Sequence, residues 1–113
     1  MVSKRVAIIG AGVSGLPAIK CCLEEGFDPV CFEKRSDLGG LWNFQKNVEE
    51  DVGCVNLTTI TNLNKESMSY SDFLHPRDHP NFISHQVVLE FLNSYANHFG
   101  SSNFSKPDRS NFA

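Results

Sequence analysis

The stretch Val6-Ala-Ile-Ile-Gly10-Ala-Gly12-Val-Ser-Gly15 begins as a buried strand and breaks into three glycines. Val6 to Ile9 is a continuous apolar run closed by glycine, the pattern of a parallel strand covered on both faces. A helical period takes over from Val13 to Glu25. Leu16, Ile19 and Leu23 share one face, Ala18 and Cys22 lie beside it, and Gly26 stands at the C-cap. Pro17 falls near the end of the first turn, so the helix is expected to start late or to bend there. The run PVCFEK, Pro29 to Lys34, reads as a second strand, parallel and adjacent to the first through a right-handed crossover. The fold class is α/β: a Rossmann-like βαβ dinucleotide-binding unit.

Three glycines exceed what a plain turn needs. In a strand–glycine–helix setting, Gly10 permits the tight turn and Gly12 lets a pyrophosphate approach the backbone. Gly15 lets helix and strand pack closely. A diphosphate there sits on the free N–H groups and the positive end of the helix. Glu33 closes the second strand, where its carboxylate can bind a ribose 2′-hydroxyl and would repel a 2′-phosphate, so the adenosine half bound here is not that of NADP. FAD and NAD share this fingerprint. Gly39 and Gly40, just past Glu33, favour FAD, whose ribityl and flavin run on beyond the pyrophosphate; an ordinary loop glycine pair plugged by Trp42 is the simpler alternative.

With 113 residues the chain holds one domain at most. A net charge of −3 leaves no electrostatic footprint for nucleic acid or an anionic membrane. No apolar run reaches the roughly 18 residues of a membrane span, and glycines cut the N-terminal apolar run too short for a secretory signal. Cys21, Cys22, Cys31 and Cys54 make no metal-ligand spacing and are expected as free thiols in a reducing compartment, where the sequons at Asn56 and Asn103 stay inert.

Residues 36–80 carry a weaker pattern. CVNLTTI is a short strand or an extended segment, and FLHPRDHPNF is a loop. Ser84 opens a helix with Val87, Val88, Phe91, Leu92, Tyr95 and Phe99 on one stripe, ended by Gly100. His75, His79 and His85 have a superficially metal-like spacing, but prolines interrupt it and a solvated loop is favoured. No acid, base or nucleophile triad is found. The tail, 101–113, reads as disordered.

GAGVSGL, CLEEG, CFEK, LGGLWNF, TNLNKESMSYSDF and HPNF together resemble the N-terminal part of the flavin-containing monooxygenases of the dimethylaniline N-oxide-forming type, from Lys4 to Gly100. The resemblance implies an FAD- and NADPH-dependent oxygenation of soft nucleophiles, amine nitrogen or sulfide sulfur, on the cytosolic side of the endoplasmic reticulum membrane. It implies FAD contacts at Gly10, Ala11, Gly12, Val13, Ser14, Gly15, Glu33, Gly40, Leu41 and Trp42. Thr61 and Asn62 match a pair beside the flavin and the nicotinamide, with Leu63 on the FAD side, and Asn62 is the candidate catalytic residue.

The chain also departs from that family. It carries one G-x-G-x-x-G, and neither the second one for NADPH nor the histidine-containing fingerprint between the two. The expectation is a truncated FAD-binding region, 1–100, with a divergent tail, an incomplete parallel sheet and no membrane segment, cytoplasmic if the anchor is absent. Alone it would be inactive. The alternative is a non-catalytic product with weak nucleotide binding or an interaction role.

Overall fold

In the computed structural model, residues 4–47 and 52–100 are described. Strand β1 (Arg5–Ile9) leads through the glycine turn into helix α1 (Gly15–Glu24), which returns to strand β2 (Asp28–Phe32). A 3-10 turn follows at Gly40–Trp42, and helix α2 spans His85–Phe99. The two strands pair in parallel, Arg5 opposite Asp28 through Ile9 opposite Phe32. Gly10 N–H carries the ladder one residue further, donating to Phe32 O at 2.8 Å. Strand β2 ends at Phe32, so Glu33 stands just past it.

Helix α1 begins at Gly15 rather than Val13, although Leu16 N–H already donates to Gly12 O at 3.1 Å. Pro17 therefore lies in the first turn, where its fixed φ suits the helix and its missing N–H costs only the bond to Val13 O. Leu16 and Ile19 are buried, but Leu23 is 47% exposed, against the expected shared face. That end of the face turns to solvent. CVNLTTI forms no strand among the described residues; it contributes a single antiparallel bridge, Ile60 to Ser84. The tail at 101–113 lies outside the described residues.

Helix α2 starts as its sequence demands. Ser84 is the N-cap, its hydroxyl accepting from Val87 N–H, and Gly100 closes the helix at φ +72°. Its buried stripe of Val88, Phe91, Leu92, Tyr95 and Ala96 joins Ile8, Leu16, Ile19 and Cys31 of the βαβ unit in one core, together with Leu38 and Ile83. Full burial of a Leu or Phe side chain contributes about 1.5–3 kcal/mol, so α2 is a main stabiliser of the two-stranded sheet. Lys20 ties the layers at the rim. Its Nζ lies 2.8 Å from Glu24 and 2.5 Å from Asp72, and 5.1 Å from the centre of the Phe99 ring. The ion pair raises the Lys20 pKa and lowers that of Asp72.

Candidate functional site

The glycine turn is built by backbone contact. A Cβ on Gly15 would come within 1.8 Å of Gly10 O, so only glycine lets the helix start this close to the strand end. Gly10 itself takes φ +97°. Gly12 has a different reason to be small. Its Cα faces the backbone of Gly40, where an added Cβ would stand at an ordinary 3.6 Å. Two glycine turns thus lie backbone against backbone, and Gly39 N–H donates to Ala11 O at 2.9 Å to lock them.

Glu33 locks the same place from the strand side. Its Oε1 accepts from Ala11 N–H and its Oε2 from Arg35 N–H, both at 3.0 Å, and the residue is 6% exposed. An ionised carboxylate offers about four acceptor positions, so about two remain. The fully buried Ala11 is the hub: its N–H meets the acid and its carbonyl meets the second glycine turn.

Arg35, for which the sequence alone suggests no role, holds that second turn. It is buried, and its guanidinium donates to Gly40 O at 2.5 Å and to Asn43 O at 2.8 Å. The available signal is its position two residues past the acid, where a charge is costly unless paired.

Two clefts of about 300 Å³ each flank Leu41. One is lined by Ile9, Gly10, Gly12 to Gly15, Gly39, Leu41 and Trp42. The other is lined by Glu33, Lys34, Arg35, Gly40, Leu41, Val52 and Gly53. The end of α1 facing the first cleft has no side-chain cap and no acid in its first turn. Among the described residues, the N–H groups of Gly12, Val13, Ser14 and Gly15 find no partner. Four unpaired amides and the positive end of a helix dipole make that cleft attractive to an anion. Cys31, behind it, is inert: burial first, then Glu33, pushes its thiol up to about 11.

Gly10 to Gly15, Glu33, Gly40, Leu41 and Trp42 are therefore brought together. Thr61, Asn62 and Leu63 line neither cleft. They precede α2, where the buried Thr61 hydroxyl donates to Leu63 O at 2.9 Å and accepts from Ile83 N–H at 3.1 Å, leaving Asn62 and Leu63 exposed. The histidines correct the sequence reading. His75 is buried rather than solvated, stacked 3.7 Å from the Phe91 ring, with its Nδ1 3.3 Å from that of His79. His85 is buried with its Nε2 2.8 Å from Leu57 O. No group of three or more His, Cys, Asp or Glu that could hold a metal occurs among the described residues.

The family model described as FMO-like, flavin-binding monooxygenase-like, matches residues 3–106. The chain belongs to this family. Human flavin-containing monooxygenase 1 is 55% identical over 97 residues, covering 86% of this chain and 18% of that protein. Flavin-containing monooxygenase 5 of Cavia porcellus is 52% identical over 100 residues, 88% of this chain and 19% of its own length. The chain thus spans about a fifth of the curated relatives it matches. Among solved structures, S-allyl-L-cysteine S-oxygenase from Allium sativum superposes with a TM-score of 0.83 at 28% identity, over 93% of this chain and 28% of that one. An oxidized steroid monooxygenase bound to NADP shares the fold, with a TM-score of 0.71 at 20% identity, over 93% of this chain and 19% of that one. The family match extends six residues past Gly100, the end of the resemblance carried by the motifs.

Proposed function

We propose that this chain is the FAD-binding region of a monooxygenase that uses NADPH to oxygenate amine nitrogen or sulfide sulfur. The observation that carries the reading is the Glu33 carboxylate hydrogen-bonded at 3.0 Å to Ala11 N–H inside the glycine turn. The proposed ribose acid and the proposed pyrophosphate loop are tied together directly by this bond.

The residues present fit the ADP half of FAD. The unpaired amides of Gly12 to Gly15 would take the pyrophosphate, and the free acceptor positions of Glu33 would take the ribose hydroxyls. Leu41 and Trp42 would cover the stretch that leads onward, and Arg35 keeps their turn in place. Bound FAD would supply the redox and oxygen chemistry; the protein supplies position and exclusion of water. Thr61, Asn62 and Leu63 are proposed for the flavin and nicotinamide end, with Asn62 offering a donor and an acceptor without charge. The 113 residues contain a single G-x-G-x-x-G. For these residues alone we propose nucleotide binding without turnover, since no second glycine-lined helix start among the described residues offers the NADPH pyrophosphate a site. The endoplasmic reticulum setting is proposed on family membership, while no helix among the described residues is long and apolar enough to cross a membrane.

Gly12→Ala gives the cleanest test. An alanine Cβ would meet only ordinary van der Waals contact at Gly40, so the fold should stand while ADP and FAD binding falls roughly tenfold or more. Undiminished binding in a folded variant would refute the pyrophosphate assignment. Glu33→Arg should cost about 1–3 kcal/mol of ADP binding, by loss of a charge-assisted hydrogen bond. The unmodified chain should prefer ADP to its 2′-phosphorylated form, and calorimetric titration of both ligands reads the preference directly.

A further inference from the structure

The carbonyl of Val13 has lost its natural partner. In the first turn of α1, Leu16 N–H donates to Gly12 O at 3.1 Å and Ala18 N–H to Ser14 O at 3.3 Å. The bond between them in this series would run from residue 17 to Val13 O, but residue 17 is proline and has no N–H. A proline ring also crowds the carbonyl four residues before it. The donor that reaches Val13 O comes instead from far along the chain: Tyr70 Oη, at 2.6 Å.

Tyr70 is well placed to hold this bond. Its ring lies 4.4 Å from that of Tyr95 and stacks 5.9 Å from that of Phe91, so α2 fixes its direction. Its own segment is braced by the bridge to Phe73, and Asp72 next to it is tied to Lys20 on α1. Burial, with Tyr95 and Asp72 nearby, pushes its hydroxyl up to about 12, so it stays a donor through the neutral range.

The peptide that Tyr70 grips is the one between Val13 and Ser14, whose N–H is among the unpaired amides facing the glycine cleft. A carbonyl that accepts a strong hydrogen bond fixes the plane of its peptide and strengthens the N–H on the far side as a donor. We propose that Tyr70 is a positioning residue for the pyrophosphate loop: its hydroxyl replaces the backbone donor that Pro17 removes and thereby aims the Ser14 N–H at the bound anion. The proposal rests on the dinucleotide reading above. It joins the Tyr-Ser-Asp-Phe segment to the glycine turn across 57 residues.

The experiment is a four-protein cycle on the full chain: unmodified, Tyr70→Phe, Pro17→Ala and the double variant. Phenylalanine keeps the ring packing and deletes only the donor. Alanine in place of Pro17 restores an N–H for Val13 O. Tyr70→Phe should weaken ADP binding roughly three- to tenfold in the native Pro17 background and less than about twofold in the Pro17→Ala background. Adenosine, which lacks the diphosphate, should bind all four alike. Equal losses in both backgrounds, or a matching loss for adenosine, would overturn the positioning role. A chain that binds ADP while Tyr70→Phe changes nothing overturns this proposal alone. If the unmodified chain binds neither ADP nor FAD, the dinucleotide reading itself falls, and the role toward the anion falls with it. Urea unfolding of the same four proteins decides the exchange of donors separately: additive destabilisation would show that Tyr70 does not stand in for the missing N–H.

Discussion

Residues 4–47 and residues 52–100 are held together by different physics. In the first region the decisive contacts all engage backbone: Gly15 against Gly10 O, and Ala11 between the Glu33 carboxylate and Gly39 N–H. In the second they are made by rings. Phe73, His75, Phe91, Tyr95 and Phe99 touch one another in a chain of centroid distances from 3.7 to 5.9 Å. A backbone contact as close as that of Gly15 leaves no choice of residue, because only the absence of a Cβ satisfies it. A ring contact tolerates exchange, because volume and shape can be supplied by several side chains. The site belongs to the region with least choice, and the region of rings supports it from behind.

The sharpest break of that contrast is Gly15→Ala. A Cβ 1.8 Å from a carbonyl oxygen cannot be relieved by a rotamer change, so the turn itself must move. The variant should lose about 3 kcal/mol or more and fail to give a cooperative urea transition. A native-like midpoint would show that the backbone contact is softer than its geometry.

Phe91→Ala attacks the other region. Phe91 is 4% exposed and meets Tyr70, Phe73 and His75, so truncation should cost about 3–5 kcal/mol in unfolding free energy. Phe91→Leu should recover most of that loss, whereas no residue should rescue position 15. Failure of the leucine to recover stability would mean that the rings form as specific a contact as the glycines.

A smaller effect is expected from pH. Burial first, then neighbouring His79 and Lys65, holds the His75 imidazole below its ordinary value of 6.5, with the Met68 backbone and Glu66 acting the other way. The folded chain therefore keeps His75 neutral where the unfolded chain has begun to protonate it. Its contribution is fully present above about 6.5 and declines as pH falls from there toward the lower folded value. His75→Phe, stacked on Phe91 in the same way, should flatten the slope of stability as pH falls below about 6.5. An unchanged slope would assign the titration to another group. At more acidic pH, below the ordinary carboxylate value of 3.8, loss of the Lys20–Asp72 pair should add its own decline, since Asp72 titrates below that value.

The βαβ unit and nearly all of the cleft could be read from residues 4–47 because their geometry is local. A strand, three glycines at set spacing and an acid past the next strand meet whenever the crossover forms, whatever packs behind them. The same reasoning located α2, since its stripe and its Ser84 cap lie within the helix itself. It failed where partners are distant. Arg35, Lys20 and His75 look like ordinary surface residues until Gly40, Asp72 and Phe91 are brought to them. Leu23 looks like core until the fold leaves it half exposed.

By itself, then, the sequence determined which backbone segments must approach one another and what kind of ligand an uncapped, glycine-lined helix end attracts. Sterics allowed no other residue at Gly15 if that approach was to occur. Only the tertiary structure decided who satisfies the groups this arrangement leaves open. Pro17 announces a missing N–H, but nothing in its neighbourhood says that the replacement is a hydroxyl 57 residues away. A hydrogen bond needs a partner within about 3 Å. Which side chain arrives at that distance is settled by the packing of α2 on the βαβ unit, and no periodicity in the chain encodes it.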